Sequence, residues 1–79
     1  MTAIDKNIKI LENCLTPEMR KDVLSGNKKR EYASMLEVVL KANREDFMTK
    51  ELFHELSTMG INTPYEMSEY IIERLYKNV

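Results

Sequence analysis

The chain is poor in the residues on which most enzyme chemistry depends. Among 79 residues it has no tryptophan, one cysteine, one histidine and two glycines. With so few glycines there is no glycine-rich loop that would hold a phosphate group. No Cys/His spacing indicates a zinc site. We therefore predict that the protein is not an enzyme, with no catalytic residues, no cofactor, no metal and no small-molecule substrate.

Disulfides and long apolar segments are missing as well. A single cysteine, Cys14, cannot form a bridge within the chain, and we expect it to be a small buried apolar residue. No stretch approaches the roughly 18 apolar residues of a membrane span. The first residues lack the basic and apolar segments of a secretory signal. These features predict a cytoplasmic protein that does not contact membranes.

No single sign of charge dominates, since the chain has 12 basic and 13 acidic residues and a net charge of −1. The overall balance gives no electrostatic case for nucleic-acid binding. The distribution is uneven, because residues 1–44 are net basic and residues 45–79 are net acidic. A composition rich in Lys, Glu, Asn, Ile and Met is common in A/T-rich genomes, such as those of phages, mobile elements and low-GC bacteria.

What the chain does contain is clear helix punctuation. Thr16-Pro17 and Thr63-Pro64 each place a threonine, which can accept a hydrogen bond from a free N–H, before a proline at the first helical position. Gly26 and Gly60 lie where a left-handed residue would close a helix. These signals set the ends of the second helix and the boundary between the last two.

The spacing of apolar residues between these signals predicts five helices. We expect them at about 3–15, 17–25, 28–43, 50–59 and 64–77, with Thr49 as the N-cap of the fourth. The fold class is therefore all-α, a compact bundle of about five short helices in one domain, 1–79.

The third predicted helix carries an unusually broad apolar arc, about 220° at 100° per residue. Its apolar residues are Tyr32, Ala33, Met35, Leu36, Val38, Val39, Leu40 and Ala42. A helix that is apolar around most of its circumference needs neighbours on several sides. We therefore predict that the helix at 28–43 is the central helix of the bundle.

The fifth helix has a second apolar row, Tyr65, Ile72 and Tyr76, beside its main row of Met67, Ile71, Leu75 and Val79. The two rows cover about 180°, whereas a surface helix typically needs about 100°. Either the second row packs under another helix, or it forms an interaction surface in which tyrosines are favoured.

The interaction reading leads to our first functional hypothesis, a small non-enzymatic protein-binding regulator, inhibitor or adaptor. Its partner would be another protein or a second copy of the chain, because a domain this short has a marginal core. The predicted protein-binding residues are Tyr65, Glu69, Ile72, Glu73 and Tyr76.

A basic corner supports an alternative, a nucleic-acid-binding transcriptional regulator. The cations that could contact a phosphate backbone are Arg20, Lys21, Lys28, Lys29 and Arg30. Glu51 and His54 have the Glu-x-x-His spacing of carboxylate metal sites. Because both are expected to point away from the apolar face of their helix, we interpret them as an exposed pair.

Overall fold

A computed structural model of the protein describes the backbone of residues 2–78 and the side chains of residues 2–77. Over that range the chain forms five α-helices and one short 3₁₀ turn, and it has no strand, so the predicted all-α bundle is confirmed. None of the helices in the described range combines the length and the apolar character needed to cross a membrane.

The helices have the bounds that the local signals predict, to within two residues at each end. They are α1 (Ala3–Cys14), α2 (Pro17–Ser25), α3 (Lys29–Lys41), the 3₁₀ turn (Glu45–Phe47), α4 (Thr49–Thr58) and α5 (Pro64–Asn78).

Two predicted N-caps and both glycines predicted to close a helix, Gly26 and Gly60, have the expected geometry. The Thr16 hydroxyl accepts from the N–H of Met19 at 3.2 Å, and the Thr63 hydroxyl accepts from the N–H of Glu66 at 3.2 Å. Gly26 ends α2 in the left-handed region, with φ of +72°, and its N–H donates to the carbonyl of Val23. These ends form as predicted because each depends only on residues within one helical turn.

The predicted cap at Thr49 is wrong. Thr49 is the first residue of α4, and the residue before it, Met48, has a left-handed backbone with φ of +48°. The Thr49 hydroxyl donates to the carbonyl oxygen of Arg44 at 2.7 Å. The 3₁₀ turn Glu45–Phe47 brings that carbonyl within reach, so the hydroxyl closes the turn instead of capping the helix.

The helix with neighbours on most sides is α5, which corrects the prediction that α3 is central. α5 packs along α3 and also contacts α1 and α2, while α1 contacts α4. The core is therefore built around α5 and consists of side chains from all five helices. Its buried members are Ile4, Ile8, Val23, Ala33, Leu36, Leu40, Leu52, Leu56, Met67, Ile71, Ile72 and Leu75.

Only one side of the broad apolar arc of α3 is buried. Ala33, Leu36 and Leu40 face α5 and are at most 5% exposed. Met35 and Val38 were predicted to point inward but are 57% and 68% exposed. No described helix packs over this second side of α3, so its apolar surface reaches solvent.

Candidate protein-binding surface

An apolar cleft opens between the end of α1, α2 and α3. It has a volume of about 200 Å³, and its floor is formed by core residues of α2, α3 and α5. All the residues around it have apolar side chains, apart from the Tyr32 hydroxyl and the Cys14 thiol. They are Leu11, Cys14, Leu15, Met19, Val23, Tyr32, Met35, Leu36, Val39, Phe47, Ile72 and Leu75. We refer to this feature as the apolar cleft.

The turn between α1 and α2 shapes one wall of the apolar cleft. α1 ends at Leu15, whose backbone is extended, and α2 begins two residues later at Pro17. Because Thr16 and Pro17 start α2 directly after α1 ends, the position at which the chain turns from α1 into α2 is fixed. Leu15 and Met19 are therefore left half-buried on either side of the turn, where they form the wall.

Tyr32 joins α3 to α2 at the cleft. Its hydroxyl donates to an Oδ of Asp22 at 3.2 Å. Desolvation, together with the hydrogen bond to the Asp22 carboxylate, raises the pKa of Tyr32 above its usual value. The phenol therefore stays protonated at neutral pH and acts as a hydrogen-bond donor that positions α3.

Three exposed apolar residues continue the apolar cleft onto the outer face of α3. Met35, Val38 and Ala42 are spaced three and four residues apart, so they lie on one face of the helix. Met35 also lines the apolar cleft, which makes the two surfaces continuous. We call Met35, Val38 and Ala42 the α3 stripe. Exposed apolar surface that continues into a cleft is typical of an interaction site.

Charged side chains border the α3 stripe at both ends. At its N-terminal end Glu31 is exposed, and Lys28 lies 3.7 Å from Asp22. At its C-terminal end Lys41 pairs with Glu37 at 3.2 Å, and beyond the helix Glu45 is exposed. The apolar surface therefore has a rim of both signs.

The predicted surface on α5 is only partly exposed. Ile72 is 5% exposed and forms part of the floor of the apolar cleft, so the prediction that it is an accessible anchor is wrong. Tyr65 is half-buried, while Tyr76 is 42% exposed. The Tyr76 ring covers the α2–α3 turn, where a methyl group at Gly26 would lie 3.6 Å from it. The second row of α5 thus packs mainly against its own chain.

The two acidic residues predicted on α5 have different surroundings. Glu69 is exposed, whereas Glu73 accepts a hydrogen bond from the Lys29 ammonium at 2.5 Å. This hydrogen bond and the charge of the partner lower the pKa of Glu73, and the same hydrogen bond raises the pKa of Lys29. The pair ties α5 to the start of α3 and joins a residue of the basic corner to the predicted α5 surface.

The basic corner is largely occupied by contacts within the chain. Lys28 and Lys29 lie against the carboxylates of Asp22 and Glu73. An Arg20 guanidinium nitrogen donates to the backbone carbonyl of Glu12 at 3.2 Å. Of the five cations, Arg20, Lys21 and Arg30 are exposed and have no ion pair among the described residues. Two of the five positive charges are therefore offset locally, which weakens attraction to phosphates.

Three further residues singled out in the sequence, Cys14, Glu51 and His54, are exposed. Cys14 is exposed, so the expectation that it is buried is wrong; it lies at the edge of the apolar cleft, where no helix covers it. Glu51 and His54 are both exposed on α4. Within the described residues no cluster of three or more Cys, His, Asp or Glu side chains could hold a metal ion.

Sequence reasoning missed Met35 and Val38 as surface residues. The available signal was the width of the α3 arc, which exceeds what short neighbouring helices can cover. Comparisons with protein-family models, with curated proteins and with solved structures give no match for this chain.

Proposed function

We propose that the protein is a small non-enzymatic protein-binding module, a regulator, inhibitor or adaptor, that binds through the apolar cleft and the α3 stripe. The observation that carries this proposal is the exposure of Met35 and Val38, 57% and 68%, directly beside a cleft with apolar walls. Exposed apolar residues that adjoin an apolar groove are more typical of an interaction site than exposed apolar residues scattered singly.

The size of the apolar cleft favours a protein partner over a small molecule. Small-molecule sites typically enclose about 300–1,000 Å³, whereas this cleft has about 200 Å³. That volume accommodates one or two apolar side chains. The α3 stripe beside it supplies a flat, elongated contact, and this combination suits a helix that lays its apolar face across α3.

The polar groups near the apolar cleft support a binding role rather than catalysis. The Tyr32 hydroxyl is engaged with Asp22, so it is not free to act on a bound molecule. General acid–base chemistry needs a titratable group within hydrogen-bond reach of the substrate. Apart from the thiol of Cys14, the cleft walls offer methyl, methylene, thioether and aromatic groups that contribute through desolvation.

Site-specific photo-crosslinking in cells that produce the protein tests this proposal. A photoreactive phenylalanine derivative replaces Met35 in one variant, Val38 in a second and Met59 in a control. Met59 is also a half-exposed methionine, at the end of α4 and outside the apolar cleft. We expect a discrete protein adduct at positions 35 and 38 and none at 59, identified by mass spectrometry. Absence of an adduct at 35 and 38, or the same adducts at 59, would overturn the proposal.

A further inference from the structure

The partner that fits this surface can be named from the charges around it, on the basis of the function proposed above. We propose that the α3 stripe binds a second copy of the same chain, with the two α3 helices antiparallel about a two-fold axis between Met35 and Val38. In this register Met35 of one copy faces Val38 of the other. The two-fold axis repeats this contact, so the dimer contains it twice.

The apolar contacts are self-complementary in this arrangement. Val38 is rigid and projects from the helix surface, while Met35 is flexible and reaches from the α3 stripe to the rim of the apolar cleft. Packing one copy's valine beside the other copy's methionine fills the space along the two-fold axis. Such an isologous contact closes on itself and produces a dimer rather than a chain of subunits.

The charges at the two ends of the α3 stripe select the antiparallel direction. Within α3, residues whose numbers sum to 73 face each other, so Glu31 of one copy lies opposite Ala42 of the other, beside Lys41. Both charged side chains are exposed in the protomer. A parallel arrangement would instead place Lys28 near Lys28 and Glu31 near Glu31, and like charges would repel.

The contact that Lys41 makes within its own chain does not prevent this pairing. The Lys41–Glu37 pair joins neighbouring turns of α3 at 3.2 Å. Ion pairs of this exposed kind contribute little to stability. Lys41 can therefore turn toward Glu31 of the second copy at small cost.

The area that a dimer requires exceeds what the α3 stripe provides. A stable interface buries about 800 Å² on each partner, which is about one sixth of the 5126 Å² of accessible surface. The α3 stripe alone is smaller than that, so Leu15 and Met19 at the mouth of the apolar cleft have to join the contact. A small domain with a marginal core also gains stability from association.

Sedimentation equilibrium of the full chain, from about 1 to 500 μM at low salt, tests the dimer. We expect reversible dimerisation that weakens as salt is added, because charged pairs contribute to it. Met35→Glu is expected to raise the dimer dissociation constant at least about 100-fold, since it places two charges at the centre of the interface. The matched control Met59→Glu is expected to leave it within about twofold. Far-UV circular dichroism establishes that both variants remain helical.

A charge exchange tests the antiparallel register. Glu31→Lys and Lys41→Glu are each expected to raise the dissociation constant about tenfold, because each places like charges at two symmetric contacts. An equimolar mixture of the two variants is expected to recover the wild-type affinity, since both contacts in the mixed dimer again join opposite charges.

Two results would overturn the inference: a chain that stays monomeric at 500 μM, and a dimer whose affinity neither Met35→Glu nor the charge exchange alters. These results are distinct from a failure of the proposed function. A monomeric chain that still forms an adduct with a different protein at positions 35 and 38 retains the proposed function and loses only the second copy. A monomeric chain without any adduct loses both.

Discussion

Truncation to alanine should lower the free energy of unfolding strongly on one side of α3 and hardly at all on the other, although both sides are apolar in the sequence. Leu40 is 1% exposed and faces α5, whereas Val38, two residues earlier, is 68% exposed. The paired variants Leu40→Ala and Val38→Ala therefore measure how much each side contributes to the free energy of unfolding.

The expected magnitudes follow from these exposures. A buried Leu→Ala change costs about 2–5 kcal/mol. Full burial of a valine side chain is worth about 1.5–3 kcal/mol, and the buried third of Val38 therefore accounts for about 0.5–1 kcal/mol. Alanine also has a higher helix propensity than valine by about 0.5 kcal/mol. The net effect of Val38→Ala should therefore lie within about 0.5 kcal/mol of zero.

Urea unfolding followed by circular dichroism measures both values. The protein concentration has to be low enough for the chain to be monomeric, because association of the folded state would add stability that depends on concentration. An unchanged slope with urea indicates that the compactness of the unfolded state is unaltered. If Leu40→Ala does not fold, Leu40→Val provides a smaller loss of about 1 kcal/mol.

A loss above about 1.5 kcal/mol for Val38→Ala in the monomer would refute the reasoning. It would mean that Val38 is packed in the protomer and that the α3 stripe is not free for a partner. A loss below about 1 kcal/mol for Leu40→Ala would show that the contact between α3 and α5 is not the tightly packed core described above.

Two other predictions concern an ion pair of α5 and a buried polar residue of α1. The Lys29–Glu73 pair should stabilise the fold by at most about 1 kcal/mol, because both side chains are partly exposed. The lowered pKa of Glu73 makes this contribution present above pH 4.5 and lost as the pH falls through the folded value. The raised pKa of Lys29 makes it present below pH 10.5 and lost as the pH rises through the folded value. A double-mutant cycle with Lys29→Met and Glu73→Gln should therefore show coupling at pH 7 and none at pH 2; equal coupling at both would contradict this. Asn7 is 1% exposed, its amide N–H donates to the Ala3 carbonyl at 2.7 Å, and its Oδ1 has no partner among the described residues. Asn7→Leu should therefore raise the unfolding free energy, measured by urea unfolding, by up to about 1 kcal/mol. A decrease in the unfolding free energy would refute the assignment of an unsatisfied oxygen.

The helix ends could be predicted from the sequence wherever a local rule decides them. The Thr16 and Thr63 caps and the left-handed Gly26 each depend on neighbours within one turn. Thr49 has the same chemistry, yet its hydroxyl binds the carbonyl of Arg44, five residues away across a 3₁₀ turn. Periodicity does not predict that turn, because a single turn is too short to show a period. The prediction for Thr49 is wrong because the Arg44 carbonyl competes for its hydroxyl, and the capping rule itself is not at fault.

The location of the candidate surface could not be predicted, because the width of an apolar arc does not determine which neighbours cover it. Both α3 and α5 have a wider arc than a surface helix needs. In the folded chain α5 has α1, α2 and α3 around it, and these cover Ile72.

α3 packs mainly against α5. The nine-residue α2 lies beside one edge of α3, where Asp22 accepts the Tyr32 hydrogen bond and Val23 joins the core. The excess apolar surface therefore emerges at Met35 and Val38 and not on α5. Since five short helices cannot cover two such arcs at once, covering one helix exposes the other. A partner that binds this protein by its apolar surface should accordingly meet α3.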